Sequence, residues 1–463
     1  MTRTATAKLV AGTFAALCAL GGLAAFVVPV AAHAGSLSTS QESLSTPTWL
    51  FLVTGGGAVG ASFLLASFVT DRALIRAIHD WHRRPPLPGR TALVATGRGV
   101  GLAGLFVVIV VGFVGPATPQ GNLAILLVWV GWWAGFTMST YLLGNAWPAL
   151  NPWRTISRGL PSLDREYPDR LGAWPSVVAL LGLIWIEIVS PVASDPRLLA
   201  GLAVTYSIVT LAGAVVYGSE SWFRRADPIS RVFRFYGRVA PLTTEEGRIR
   251  VRLPGSALAE TRLVDGPDEV AFVIALLWGT TFDGLVLTPA WDGFARWLVA
   301  LGVPSVLLYP AGLAVGFAVF LGVYRLAARR SRVSARTYCS AEEIAQHFAP
   351  SLLAIAAGYH LAHYLDYFLS LVPSLAVVAT SPLSPPATVP QLVLPGWFGG
   401  LSLVFVLGGH LLAIWVAHTA AYDLFPGRLQ AIRSQYALTA VMIFYTAVSL
   451  WVVSQPSGTV PFV

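Results

Sequence analysis

The chain has 463 residues, of which 55% are hydrophobic and 11% charged, and its mean hydropathy is +0.68. A soluble domain carries about 25% charged residues, so this composition excludes a large soluble enzyme and a disordered chain. Two cysteines, Cys18 and Cys339, exclude a disulfide scaffold, and the expected class is an all-α, polytopic integral membrane bundle.

The N-terminus reads as a secretory signal. Arg3 and Lys8 form a basic start, Leu9 to Val28 an apolar stretch, and Val30 to Ala34 a small-residue cleavage region. Cleavage after Ala32 removes residues 1–32, leaves 33–463 as one membrane-embedded helical domain, and makes His33 the mature N-terminus. An N-terminal histidine presents its amine and ring nitrogen together, a chelate suited to copper. An uncleaved first helix is the alternative.

A helix needs about 20 apolar residues to cross a ~30 Å hydrocarbon core. Ten stretches meet that length: Thr48 to Val69, Val94 to Gly115, Leu123 to Leu143, Ala173 to Ala193, Leu198 to Tyr217, Val270 to Ala290, Pro304 to Tyr324, Ala345 to Leu371, Gly396 to Tyr422 and Tyr436 to Val453. Alternate connections hold nearly all the arginine, in the runs Arg72 to Arg90, Arg154 to Arg170, Arg224 to Arg262, Arg329 to Arg336, and Arg428 with Arg433. The opposite set holds only Arg197 and Arg296. The positive-inside rule puts the arginine-rich loops in the cytoplasm and both mature termini outside the inner membrane. The net charge of +8 then reflects topology and lipid headgroups, with no call for nucleic acid. The loop 219–267 contains Glu245 to Arg252, whose alternation suggests a short surface hairpin, and Pro373 to Pro395 is expected as an irregular outer loop.

Ionisable groups inside spans cost ~2.5–3.5 kcal/mol each at a helix centre and therefore need partners. Glu187, Asp283, Asp366, His360, His363, His410 and His418 are expected inside spans. Counted at ~1.5 Å per residue, Glu187, Asp283, His360 and His410 all fall ~18–22 Å from the cytoplasmic boundary. His360 and His363 share a helix face as i,i+3 neighbours. His360, His363 and His410 with Asp283 therefore form a candidate transition-metal set for copper or zinc, with Glu187 as a ligand or a support for one. His33, His347 and His418 are secondary candidates. Two other readings use the same residues: neutral histidines bonded to carboxylates as helix glue, and a proton or substrate pathway. Stacked haems are disfavoured, because His347 and His360 are 13 apart whereas His410 and His418 are 8 apart. No P-loop, dinucleotide fingerprint or nucleophile elbow is present, which argues against nucleotide chemistry.

Several motifs resemble a family of prokaryotic multi-pass membrane proteins labelled fenitrothion hydrolase. They are Ala32-His33, Asn151-Pro152-Trp153, Tyr167 to Gly172 leading into Trp185-Ile186-Glu187, Gly279 to Gly284, Tyr359 to Tyr364, Gly409-His410 and Ala417-His418. The resemblance spans nearly the whole mature chain and implies membership more than mechanism. Its label implies hydrolysis of an organophosphate ester, which would assign Asp283 or Glu187 as general base beside a metal-bound water. This chain departs from the pattern at His33-Ala34-Gly35 and at Asp366. Three functions stand open at this level: a copper or zinc site in the outer half of the bilayer, a metal-assisted hydrolase of a small apolar ester, and a proton- or metal-conducting transporter.

Overall fold

A computed structural model of the chain describes residues 48–245, 248–260, 263–456, 458 and 460–462. The expected signal peptide, 1–32, and His33 lie outside the described residues. Ten long helices follow one another: α1 Thr48–Phe68, α2 Arg90–Val114, α3 Leu123–Leu142, α4 Trp174–Val189, α5 Pro196–Tyr217, α6 Pro267–Leu285, α7 Ser305–Ala335, α8 Leu352–Thr380, α9 Gly399–Leu424 and α10 Arg428–Val453. Short helices and turns connect them.

Local chemistry explains many of the helix starts. Asp195 caps α5 by accepting from the amides of Arg197 (2.8 Å) and Leu198 (3.2 Å), and Pro196 occupies the first helical position. Thr288 before Pro289 and Asp227 before Pro228 repeat the arrangement. A short polar side chain satisfies amides that the first turn leaves unpaired, and proline costs nothing where no amide is needed.

Among the described residues, seven helices are long and apolar enough to cross a membrane, and nine if two bent pairs each count as one span. The seven are α2, α3, α5, α7, α8 with the helix Ala341–Phe348 before it, α9 and α10. In the first bent pair α1 turns by 116° into Arg72–His79, and in the second α6 turns by 86° into Pro289–Ala300. The remaining apolar helix, α4, has 16 residues, about 24 Å of rise, because Ser190 is extended and Pro191 opens a separate turn. Large apolar side chains such as Leu65, Phe106, Ile208 and Val315 point outward on α1, α2, α5 and α7. Such a surface is stable against lipid tails and not against water, so the molecule is a helical membrane protein.

Helix α6 occupies the middle. Every residue from Val270 to Gly284 is buried, the pattern of a helix apolar on all sides and enclosed by others. Helices α4, α7 and α8 pack on it, α3 and α9 pack on α8, and α1 and α7 pack on α10. The α8–α9 crossing is close because glycines meet there. A Cβ at Gly358 would lie 2.6 Å from the Phe405 carbonyl oxygen, and one at Gly409 2.6 Å from that of Ala354. Small residues let two backbones approach in this way in membrane bundles.

The segment 219–267 folds into the helices Ser219–Arg225 and Pro228–Tyr236 and a hairpin, β2 Leu242–Glu245 with β3 Arg248–Arg252. Strand β1, His82–Arg83, pairs antiparallel with the other edge of β3, giving the order β1-β3-β2. Arg231, 2% exposed, holds these parts to the bundle: it pairs with Glu269 of α6 at 2.6 Å and donates to the carbonyls of Arg224 and Arg225. The outer irregular loop starts later than Pro373. That proline lies inside α8, which runs on to Thr380, since packed neighbours support a proline-interrupted membrane helix.

Candidate functional site

Asp283 stands in the last turn of α6 and is 6% exposed. Its Oδ2 accepts a hydrogen bond from the Tyr364 hydroxyl of α8 at 2.9 Å and faces His363 Nε2 at 3.6 Å. The first contact is a formed hydrogen bond, and the second is a close approach just beyond hydrogen-bond length. Carboxylate, phenol and imidazole thus meet between two helices because His363 and Tyr364 are sequence neighbours on the turn facing Asp283. Tyr359 stacks on the His363 ring, with centroids 6.2 Å apart and planes within 8°.

His360, one turn back along α8, is fully buried. Its Nδ1 lies 3.1 Å from the Tyr141 hydroxyl of α3, and its ring packs against Tyr364 at 4.6 Å, Trp133 at 5.7 Å and Tyr236 at 6.1 Å. His360 Nε2 has no hydrogen-bond partner, and neither do the hydroxyls of Tyr236, Tyr359 and Tyr367. Buried polar groups are paired in the great majority of cases, so this concentration of unpaired ones marks the region.

The other histidines are separate. His410 is buried on α9, where Nδ1 meets the Val406 carbonyl of its own helix at 2.8 Å and Nε2 has no partner. His418 is held between the Val69 carbonyl, 2.9 Å from Nε2, and Gln435 Oε1, 3.3 Å from Nδ1. His347 Nε2 meets the Ala420 carbonyl at 3.0 Å, with Asp423 at 4.0 Å. Among the described residues no three His, Cys, Asp or Glu side chains stand close enough together to hold a metal ion. The structure joins Asp283 to His363 and puts His360 beside them through Tyr364, while no hydrogen bond or ring contact described connects His410 to that group.

A cavity of about 470 Å³ opens beside Asp283. Its walls come from α2, α3, α4, α5, α6 and α8 and from the short helices Trp147–Leu150, Pro152–Ser157 and Pro228–Tyr236, and are mostly apolar and aromatic, with Trp129, Trp132, Trp133, Trp147 and Trp153 among them. Glu187, Asp283, Thr280 and Tyr364 bring polar atoms to it. Glu187 and Asp283, read from the sequence as one functional pair, therefore share one chamber. The α3 wall is unusual, since Leu127–Phe136 is wound as a π-helix. That wider winding is rare and frequently found at functional sites, and here it carries Trp129, Trp132, Trp133 and Phe136, all of which line the cavity.

Tyr141 and Tyr364 were not assigned roles from the sequence. Tyr364 adjoins His363 and was within reach as a candidate; Tyr141 is 219 residues from His360, and nothing local connects the two. Comparison with known protein families, characterised proteins and solved structures finds no match to this chain.

Proposed function

We propose that this protein binds a small, mainly apolar molecule within the bilayer and exchanges a proton with it at the Asp283–His363 pair. The observation that carries the reading is the cavity of about 470 Å³ with Asp283 and Tyr364 in its wall and His363 directly behind. Ligand sites are typically apolar chambers of this order with a few convergent polar groups. Intramembrane ionisable residues are costly and mark sites of proton or substrate handling. In the proposed topology ten helices cross the inner membrane after a cleaved signal, with both termini outside; the arginine distribution supports it.

The test is saturable binding of the neutral fluorophore 1-aminoanthracene to the reconstituted protein, with proton exchange read by calorimetry in buffers of different ionisation enthalpy. Binding should vanish in Ala203→Trp, which fills the chamber, and proton exchange should vanish in Asp283→Asn. Absence of saturable binding, or binding unchanged in Ala203→Trp, would refute the reading. The resemblance to fenitrothion hydrolases adds a reaction: water attacks phosphorus, Asp283 or Glu187 takes its proton, and the ester oxygen departs as its alcohol once it takes that proton up. Turnover of a chromogenic phosphotriester that disappears in His363→Ala supports that addition, and none in the wild type removes it.

A second reading keeps the copper or zinc ion expected from the sequence: His360 and His410 each bury an unpartnered Nε2, the donor type such ions take, although among the described residues no three ligating side chains stand together. Elemental analysis of the purified protein and of a His360→Ala/His363→Ala variant tests it. A stoichiometric metal lost in the variant supports the reading, and a metal-free wild type ends it.

A further inference from the structure

The charge of the cavity wall narrows the ligand class. None of the described residues lining the cavity is Lys, Arg or His, whereas two are carboxylates, Glu187 on α4 and Asp283 on α6. The same cavity is lined by five tryptophans together with Phe136, Phe233 and Tyr206. Trp133 reaches the carboxylate end, with its ring 6.3 Å from that of Tyr364, which itself bonds Asp283.

Three physical effects favour the same partner here. Carboxylates accept hydrogen bonds and attract positive charge, and their attraction is strong in a low-dielectric wall. Aromatic faces attract cations through the ring quadrupole, tryptophan most strongly. The remaining apolar surface favours a hydrocarbon or aryl body over a small hydrated ion. A ligand carrying only acceptor atoms satisfies the third effect and neither of the others.

We propose that the cavity selects lipophilic organic cations, an ammonium centre lying against Glu187, Asp283 and Trp133 with the apolar body among the α3 and α5 side chains. This inference rests on the binding function proposed above and adds the chemistry of the ligand. Asp283 faces His363 and Tyr364, and Glu187 supplies the second acidic group of the wall.

The test uses an isosteric pair on the full-length protein in lipid nanodiscs. Benzyltrimethylammonium carries the charge, and neopentylbenzene has the same shape with carbon in place of nitrogen; saturable quenching of tryptophan fluorescence separates site binding from partition into lipid. We expect the cation to bind at least about tenfold more tightly. Glu187→Gln should reduce that preference to about threefold or less, and Trp133→Leu should weaken the cation more than the isostere. If neopentylbenzene binds equally well or better, the cation inference fails while the cavity remains a binding site. If neither compound binds saturably, the binding function fails with it. Should Glu187→Gln not fold, the comparison on the wild type still decides.

Discussion

The hydrogen bond from Tyr364 to Asp283 makes a quantitative prediction through a double-mutant cycle. Asp283→Ala removes the acceptor and leaves the Tyr364 hydroxyl, in a residue 5% exposed, without its partner. An orphaned buried donor costs about 1–3 kcal/mol, to which the lost carboxyl volume adds. Tyr364→Phe removes the donor and deprives the buried Asp283 oxygen of that hydrogen bond, so its own cost is also about 1–3 kcal/mol. The double variant lacks both groups and therefore should lose less than the sum of the singles, with a coupling of about 1–3 kcal/mol. Asp283→Asn, which keeps an acceptor in the same place, should be more stable than Asp283→Ala by a similar amount. Unfolding free energies measured in mixed micelles at increasing SDS give all four corners of the cycle. Additivity within about 0.5 kcal/mol would show that the two side chains do not interact and would remove the structural basis for Asp283 as an organised polar end of the cavity.

Gly358→Ala puts a methyl group 2.6 Å from the Phe405 carbonyl and 2.9 Å from Gly409 Cα, and neither backbone atom can turn aside. A loss of about 1–3 kcal/mol is expected, read in the same unfolding assay; wild-type stability would contradict the close crossing. Arg231→Ala leaves Glu269, with a side chain 15% exposed, to Arg234 and the Asp265 amide alone, without its most deeply buried cation. The expected cost is about 3–5 kcal/mol, and Arg231→Ala/Glu269→Gln should recover part of it; no recovery would mean the pair does not act as one. Asp227 lies outside the spanning helices, and burial raises its pKa above the usual carboxylate range. Burial thus favours the protonated form, so its stabilising effect is complete below the unfolded-state value and fades as pH rises through the folded one. Asp227→Asn should therefore flatten the decline of stability from about pH 4 upward, while Asp227→Ala, which removes the cap on Ile229 and Ser230, should lie about 1–2 kcal/mol below Asp227→Asn at every pH; parallel pH profiles for wild type and Asp227→Asn would refute the assignment.

The fold class was open to reading because membrane insertion is a sum of local transfer free energies, and a run such as Gly99 to Val114 declares itself residue by residue. Each of the ten apolar stretches coincides with a helix, although α4 is shorter than its stretch suggested and α7 extends well past Tyr324. Asp283, His363 and Glu187 were legible for the same reason: an ionisable group in an apolar run is expensive wherever it sits. The partners of those groups were not legible. Common depth along a helix says nothing of direction around it, and that direction separates His410, turned to its own helix's Val406 carbonyl, from the Asp283–His363 pair. Tyr141 reaches His360, and α3 widens into a π-helix, only where α3 packs on α8. The cavity is a product of six long helices and three short ones, brought together by packing and by the Arg231–Glu269 tie. By itself the sequence determined a bundle of apolar helices suited to a bilayer and marked the ionisable residues that interrupt its apolar runs. The tertiary structure decided which of them meet and what chamber they face, because side-chain convergence is a property of helix rotation and packing, and no single helix contains that information.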